Sequence, residues 1–125
     1  MKRGKERGQA TVELALVLPL IVVFLLAVVQ VALVANARLL VSHAAREGAR
    51  AAAVHPTSAV AAEAARGSLG VPASRLTVAL AGGTAEGDQL AVTVIYRVPT
   101  NVPLVGMLVG DIDVSATVTM RVEHQ

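Results

Sequence analysis

The chain has 125 residues, 54% of them hydrophobic, 2% aromatic and 16% charged, with a formal net charge of +2 and no cysteine. That composition is too apolar for a disordered chain, and the missing cysteines exclude disulfide staples, thiol catalysis and thiolate metal sites. One Tyr, one Phe and no Trp leave almost nothing with which to stack nucleic-acid bases.

The first eight residues carry Lys2, Arg3, Lys5 and Arg7 against Glu6. By the positive-inside rule this leader is expected to stay in the cytoplasm while the chain beyond the apolar run is exported, although Arg38, Arg46 and Arg50 past the run blunt the asymmetry. Residues 14–35 are almost all Leu, Val, Ile, Ala or Phe. At 1.5 Å per residue they cover roughly 33 Å, enough for a hydrocarbon layer of about 30 Å, so the segment is expected to span a membrane. Pro19 removes one backbone donor and is expected at most to kink the helix. Gln30 reads either as a polar residue near the outer interface or as a hydrogen-bonding group toward a partner helix. Glu13, at the lip of the span, reads either as a headgroup-level residue or as a charge paired with a cation on an adjacent subunit.

From 36 to 54 the helix is expected to continue out of the membrane, because Ala dominates and no punctuation appears before His55-Pro56. Arg38, Ser42, Arg46 and Arg50 recur every fourth residue as a wet stripe, with Glu47 placed to pair with Arg50 or His43. The other sides carry the small-residue rows Ala45, Ala49, Ala53 and Ala44, Gly48, Ala52, which admit close approach of another helix or a sheet. Thr57 or Ser58 can cap a short second helix ending near Gly67 or Gly70.

Beyond Gly70-Val71-Pro72 the periodicity changes to two. Leu76, Val78 and Leu80 form one alternating set, and Leu90, Val92, Val94, Tyr96 and Val98 form the next, with a turn-rich loop between them that predicts a hairpin. After Pro99, Pro103 and a small apolar patch at 104–109, a last strand alternates Ile112, Val114, Ala116, Val118, Met120 and Val122 with polar residues. The fold class expected is α+β: a long transmembrane helix running into an alanine-rich helix, a short second helix, and a three-stranded antiparallel sheet whose dry face packs on the helices or on a partner. The expected organisation is a leader at 1–8, a transmembrane helix at 9–37, a helical region at 38–70 and a strand-rich head at 71–125.

Little in the chain points to catalysis. His43, His55 and His124 lie far apart without metal-ligand spacing and read as surface histidines. The glycines around Gly82, Gly83 and Gly87 lack the Lys-Ser or Lys-Thr of a phosphate loop and read as a hairpin turn. No enzyme activity, cofactor, metal or nucleic-acid partner is expected.

Arg7-Gly8-Gln9-Ala10-Thr11-Val12-Glu13 followed by the apolar run resembles the class III signal of type IV prepilins. With Leu14-Ala15-Leu16 and, after the span, Ala44-Ala45-Arg46-Glu47-Gly48-Ala49-Arg50-Ala51-Ala52-Ala53, it resembles more specifically the TadE-like family of tight-adherence (Flp) pilus assembly proteins. That resemblance is strongest over residues 7–54. It implies a pilin-like head, an anchor in the cytoplasmic membrane with the N-terminus inside, and partners among pilus assembly proteins, pilin subunits and a prepilin peptidase. It also implies that Gly8 precedes the cut, that Gln9 becomes the new N-terminus where pilins usually carry Phe or Met, and that Glu13 aligns subunits, with homo- or hetero-oligomers formed through the transmembrane helix. Two rivals remain in sequence terms. One is a secretory signal peptide cut at Ala35-Asn36-Ala37, against which stand an apolar run of about 22 residues and the placement of Glu13. The other is a single-pass envelope anchor whose head binds another protein, with no role in a pilus.

Overall fold

The computed structural model describes residues 3–123; the reading of His124 as a surface histidine falls outside them. The elements are α1 (Arg3–Val54), α2 (Ser58–Leu69), a 3-10 turn (Ala73–Arg75), β1 (Leu76–Gly82), β2 (Gln89–Val98), α3 (Val105–Val109) and β3 (Ile112–Arg121).

The 52 residues of α1 form one unbroken helix, roughly 78 Å long at 1.5 Å per residue. Pro19 lies inside it without ending it. Two different environments share this helix. Residues 8–25 are exposed all round, and this is the helix among the described residues that is long and apolar enough to cross a membrane. From residue 37 onward a stripe at spacings of three and four turns inward: Ala37, Val41, Ala44, Ala45, Gly48, Ala49, Ala52 and Ala53 are buried. The wet stripe lies opposite, with Arg38, Arg46 and Arg50 exposed. Ser42 returns its hydroxyl to the Arg38 carbonyl at 2.9 Å. Among the described residues Glu47 forms no ion pair with Arg50 or His43; both sides of that expected pair sit in water, where a salt bridge gains little over solvation.

α2 begins where Thr57 Oγ1 accepts the Val60 amide and ends at Gly70, whose φ of 60° supplies the left-handed cap. Its buried residues Ala61, Ala65 and Leu69 follow a four-residue spacing and face α1. The sheet is a meander in the order β1-β2-β3, antiparallel throughout. Register places Leu80, Val92 and Val118 side by side, so the alternation of each strand puts its apolar set on one face. On the other face Thr93 and Thr117 hydroxyls meet at 2.8 Å, and Arg97 Nε donates to Asp113 Oδ1 at 3.0 Å.

The C-terminal half of α1 covers β2 and β3, and α2 covers β1. Leu90, Val92 and Val94 of the central strand and Val41 of α1 are fully buried between the layers, each contributing about 1.5–3 kcal/mol of burial. Closeness is set at Gly48, where a Cβ would lie 3.0 Å from the Ala61 carbonyl oxygen and 3.2 Å from Val92 Cγ1. A last tie joins the two layers at their far end, where the Glu123 amide donates to Ala53 O at 2.9 Å.

The connection from β2 to β3, residues 99–111, leaves the sheet and returns along α1. Thr100 knots its base: its amide donates to Asp111 Oδ1 at 3.4 Å, its hydroxyl donates to the Gly110 carbonyl, and the same oxygen accepts Gln30 Nε2 at 3.5 Å. Gly106 passes so close that a Cβ there would collide with the Thr100 carbonyl oxygen. At the tip Leu104 takes φ 68°, a left-handed conformation that a leucine adopts at a cost of about 1–3 kcal/mol, and α3 follows it. The sequence pattern does not reveal α3, because five residues hold too little periodicity to identify a helix.

Two predictions rest on this packing, both read by thermal or denaturant unfolding of the detergent-solubilised protein. Gly48→Val overfills the α1–α2–β2 junction and is expected to lower stability by about 1–3 kcal/mol or more, whereas Gly67→Ala, where a Cβ meets nothing within 4 Å, is expected to raise it by about 0.4–1 kcal/mol. Thr100→Val leaves the amide of buried Gln30 without its acceptor and is expected to cost about 1–3 kcal/mol, while Gln30→Leu is expected to be close to neutral.

Candidate processing and assembly site

Gly8, Gln9 and Glu13 lie on the first turns of α1, far along the helix from the head, and all three are exposed. Residues four apart share a helix face, and the Gln9 amide Nε2 donates to Glu13 Oε1 at 3.4 Å. Glu13 is thus a carboxylate displayed on the side of an apolar rod, with a local neighbour from its own helix.

Gly8 differs from Gly48 in a way that matters. A Cβ at Gly8 would meet nothing within 4 Å. Inside a helix glycine costs about 0.8–1.0 kcal/mol relative to alanine, and at Gly48 that cost is offset by close packing. At Gly8 the fold recovers nothing. What glycine does offer there is an exposed backbone without a side chain, at a place where the helix can be opened for about 1 kcal/mol less than with alanine. Those are properties that an extended peptide substrate needs.

Ala44, Gly48 and Ala52 are buried against this chain's own α2 and sheet. The surface that sequence reasoning left open to either a helix or a sheet is filled by both, Ala61 of α2 on one side and Val92 of β2 on the other. Gln30 is likewise engaged within the chain. It is 4% exposed and turns to Thr100, seventy positions away, with its Oε1 unpartnered. Neither Gln30 nor Thr100 announces the other in sequence. The one signal was that Gln30 is a polar residue within an otherwise apolar run.

The glycine-rich turn after β1 has its amides in use. Gly83 N donates to Gln89 O, Gly87 N to Val122 O, Asp88 N to Ala85 O, and Ala85 N to Asp88 Oδ2. The loop closes a hairpin and also pins the end of β3, so these amides form no nest for an anion. Among the described residues no three His, Cys, Asp or Glu side chains come together in a metal-binding group. Arg97, hydrogen-bonded to Asp113 on the wet face, is held above the usual arginine range first by that hydrogen bond and then by the charge of the same carboxylate, which keeps it a cation at every physiological pH.

Comparison with known proteins bears on the anchor region. No curated protein and no solved structure matches the chain. Residues 8–50 match the family described as TadE-like protein, so the helix of this chain, from Gly8 through the exposed apolar rod to Arg50 of the wet stripe, is similar to that family over about a third of the chain.

Proposed function

We infer that this chain is a membrane-anchored, pseudopilin-like component of a tight-adherence pilus assembly or secretion system, with its N-terminus in the cytoplasm and its head outside. The observation that carries the reading is the coincidence of three things on one helix: the TadE-like match at 8–50, a glycine at position 8 that the fold does not require, and a carboxylate five residues beyond it on an exposed apolar rod. Cleavage after Gly8 would place a new α-amine on Gln9, one helical turn from Glu13. A charged side chain well inside a bilayer costs several kcal/mol unless it is paired. The amine of one subunit and Glu13 of the next answer each other's need, and lateral packing of exposed apolar rods brings them together.

The head supports an anchor that stays attached. Val34 and Ala37 pack into its core, and Gln30 hydrogen-bonds to the β2–β3 connection. A cut at Ala35-Asn36-Ala37 would strip those groups from a finished core.

Intact mass of the membrane-extracted protein is expected to start at Gln9, and Gly8→Leu is expected to hold the start at Met1. A wild-type start at Met1 would remove the processing step, and a soluble form starting at Arg38 would remove the anchor. Glu13→Gln is expected to insert normally yet recover about tenfold less of the assembly machinery on co-purification, the factor that corresponds to about 1.4 kcal/mol of lost pairing. Unchanged recovery would reduce Glu13 to an interfacial residue.

A further inference from the structure

The β2–β3 connection presents a cluster of apolar side chains to the outside. Met107 is 89% exposed and Leu108 85%, with Leu104 and Val109 also open. From Val98 to Gly110 there is no charged residue, and the stretch is bracketed by Arg97 on one side and Asp111 and Asp113 on the other. A soluble domain does not gain by holding such side chains in water.

Position along α1 says what meets them. Val105 and Val109 share a groove with Ala27, Gln30, Val31 and Val34 of α1, and on the other side Pro99 and Val102 share one with Leu26 and Val29. These α1 residues belong to the apolar run at 14–35, and 27–34 alone covers roughly 10 Å of helix. Whatever lies beside them lies at their depth. We propose that residues 99–111 form a lipid-inserted finger, with Leu104, Met107, Leu108 and Val109 in the apolar layer of the outer leaflet beside the last turns of the span. The proposal rests on the reading of α1 as a membrane span.

Part of the finger's backbone is satisfied within the finger, which matters in a medium where an unpaired amide is costly. Thr100 N is taken by Asp111, Val105 N by Pro103 O, Gly106 N by Val102 O and Gly110 N by Gly106 O, while Pro99 and Pro103 have no amide to satisfy. The finger also accounts for Gln30. Inside the apolar run its side chain is 4% exposed, and its Nε2 donates to the finger's own Thr100. The grooves on either side of the contact, about 510 and 460 Å³, are open and mostly apolar, a shape that acyl chains fill.

The absence of cysteine makes the test direct. Full-length chains carrying one cysteine at Met107, Leu108, Val17 or Thr84 are spin-labelled and reconstituted in phosphatidylcholine–phosphatidylglycerol vesicles. Collision rates with oxygen, which concentrates in lipid, and with a water-soluble nickel chelate are then compared. Labels at Met107 and Leu108 are expected to favour oxygen severalfold over the label at Thr84 on the distal hairpin, and to resemble the label at Val17 in the span. If Val17 reads as lipid while Met107 and Leu108 read as water, the finger is overturned and the anchor stands. If all four read as water, the anchor reading fails and the finger with it. Protection of Met107 and Leu108 from both collision partners would mean that protein covers them, which also overturns the proposal.

Discussion

The closeness of α1 to the sheet and to α2 is the constraint on which the folded head depends. A layer of helix on a small sheet normally fills its interior with large side chains; here the helix contributes mainly alanines and one glycine, and the bulk comes from Val and Leu of β2. Small side chains reduce the area that each helix residue buries, so the stability of the head rests on the number of close contacts along the stripe, where one methyl too many separates all three elements at once. With no cysteine to form a disulfide, and no metal-binding group among the described residues, packing precision carries the domain.

The same helix meets two opposite demands along its length. Its N-terminal part needs large apolar side chains on every face, as a span surrounded by lipid does, while its C-terminal part needs one small-residue face and one charged face. The change occurs between about residues 30 and 38, where apolar faces give way to Asn36 and Arg38 and the buried stripe begins. Helix continuity through this change costs nothing, since alanine, leucine and arginine all favour the helix and the first break comes only at His55-Pro56.

Much of this was legible in the sequence. The end of α1 and all three strands follow from local signals, each a periodicity of four or two with its punctuation, and of the alternatives open at the ends of α2, Thr57 or Ser58 and Gly67 or Gly70, the structure uses Thr57 and Gly70. The TadE-like resemblance was legible for the same reason, since the residues that carry it lie on one continuous stretch and no fold is needed to connect them. What sequence did not disclose was tertiary. The partners of Ala44, Gly48 and Ala52 were open because a small face admits either layer, and the structure fills it with both α2 and β2. Gln30 was open between a polar residue at the outer interface and a hydrogen bond to a partner helix, and its partner comes instead from just past the far end of β2. α3 escaped notice because it depends on a left-handed Leu104 and on the knot at Thr100, neither of which has a local signature.

The rigidity of α1 links the head to the anchor motif. Because the helix is unbroken, the direction in which the head lies fixes the direction in which every upstream side chain points. Gln30 marks the side of the helix on which the β2–β3 connection sits. Seventeen residues separate it from Glu13, and at about 100° of turn per residue the two side chains point roughly 100° apart around the axis. Ala49, thirty-six residues beyond Glu13 and so about ten full turns along the helix, is buried in the head's core, which places the Glu13 carboxylate on the side of the rod that carries the head further along, while Glu13 itself is exposed on the span below it.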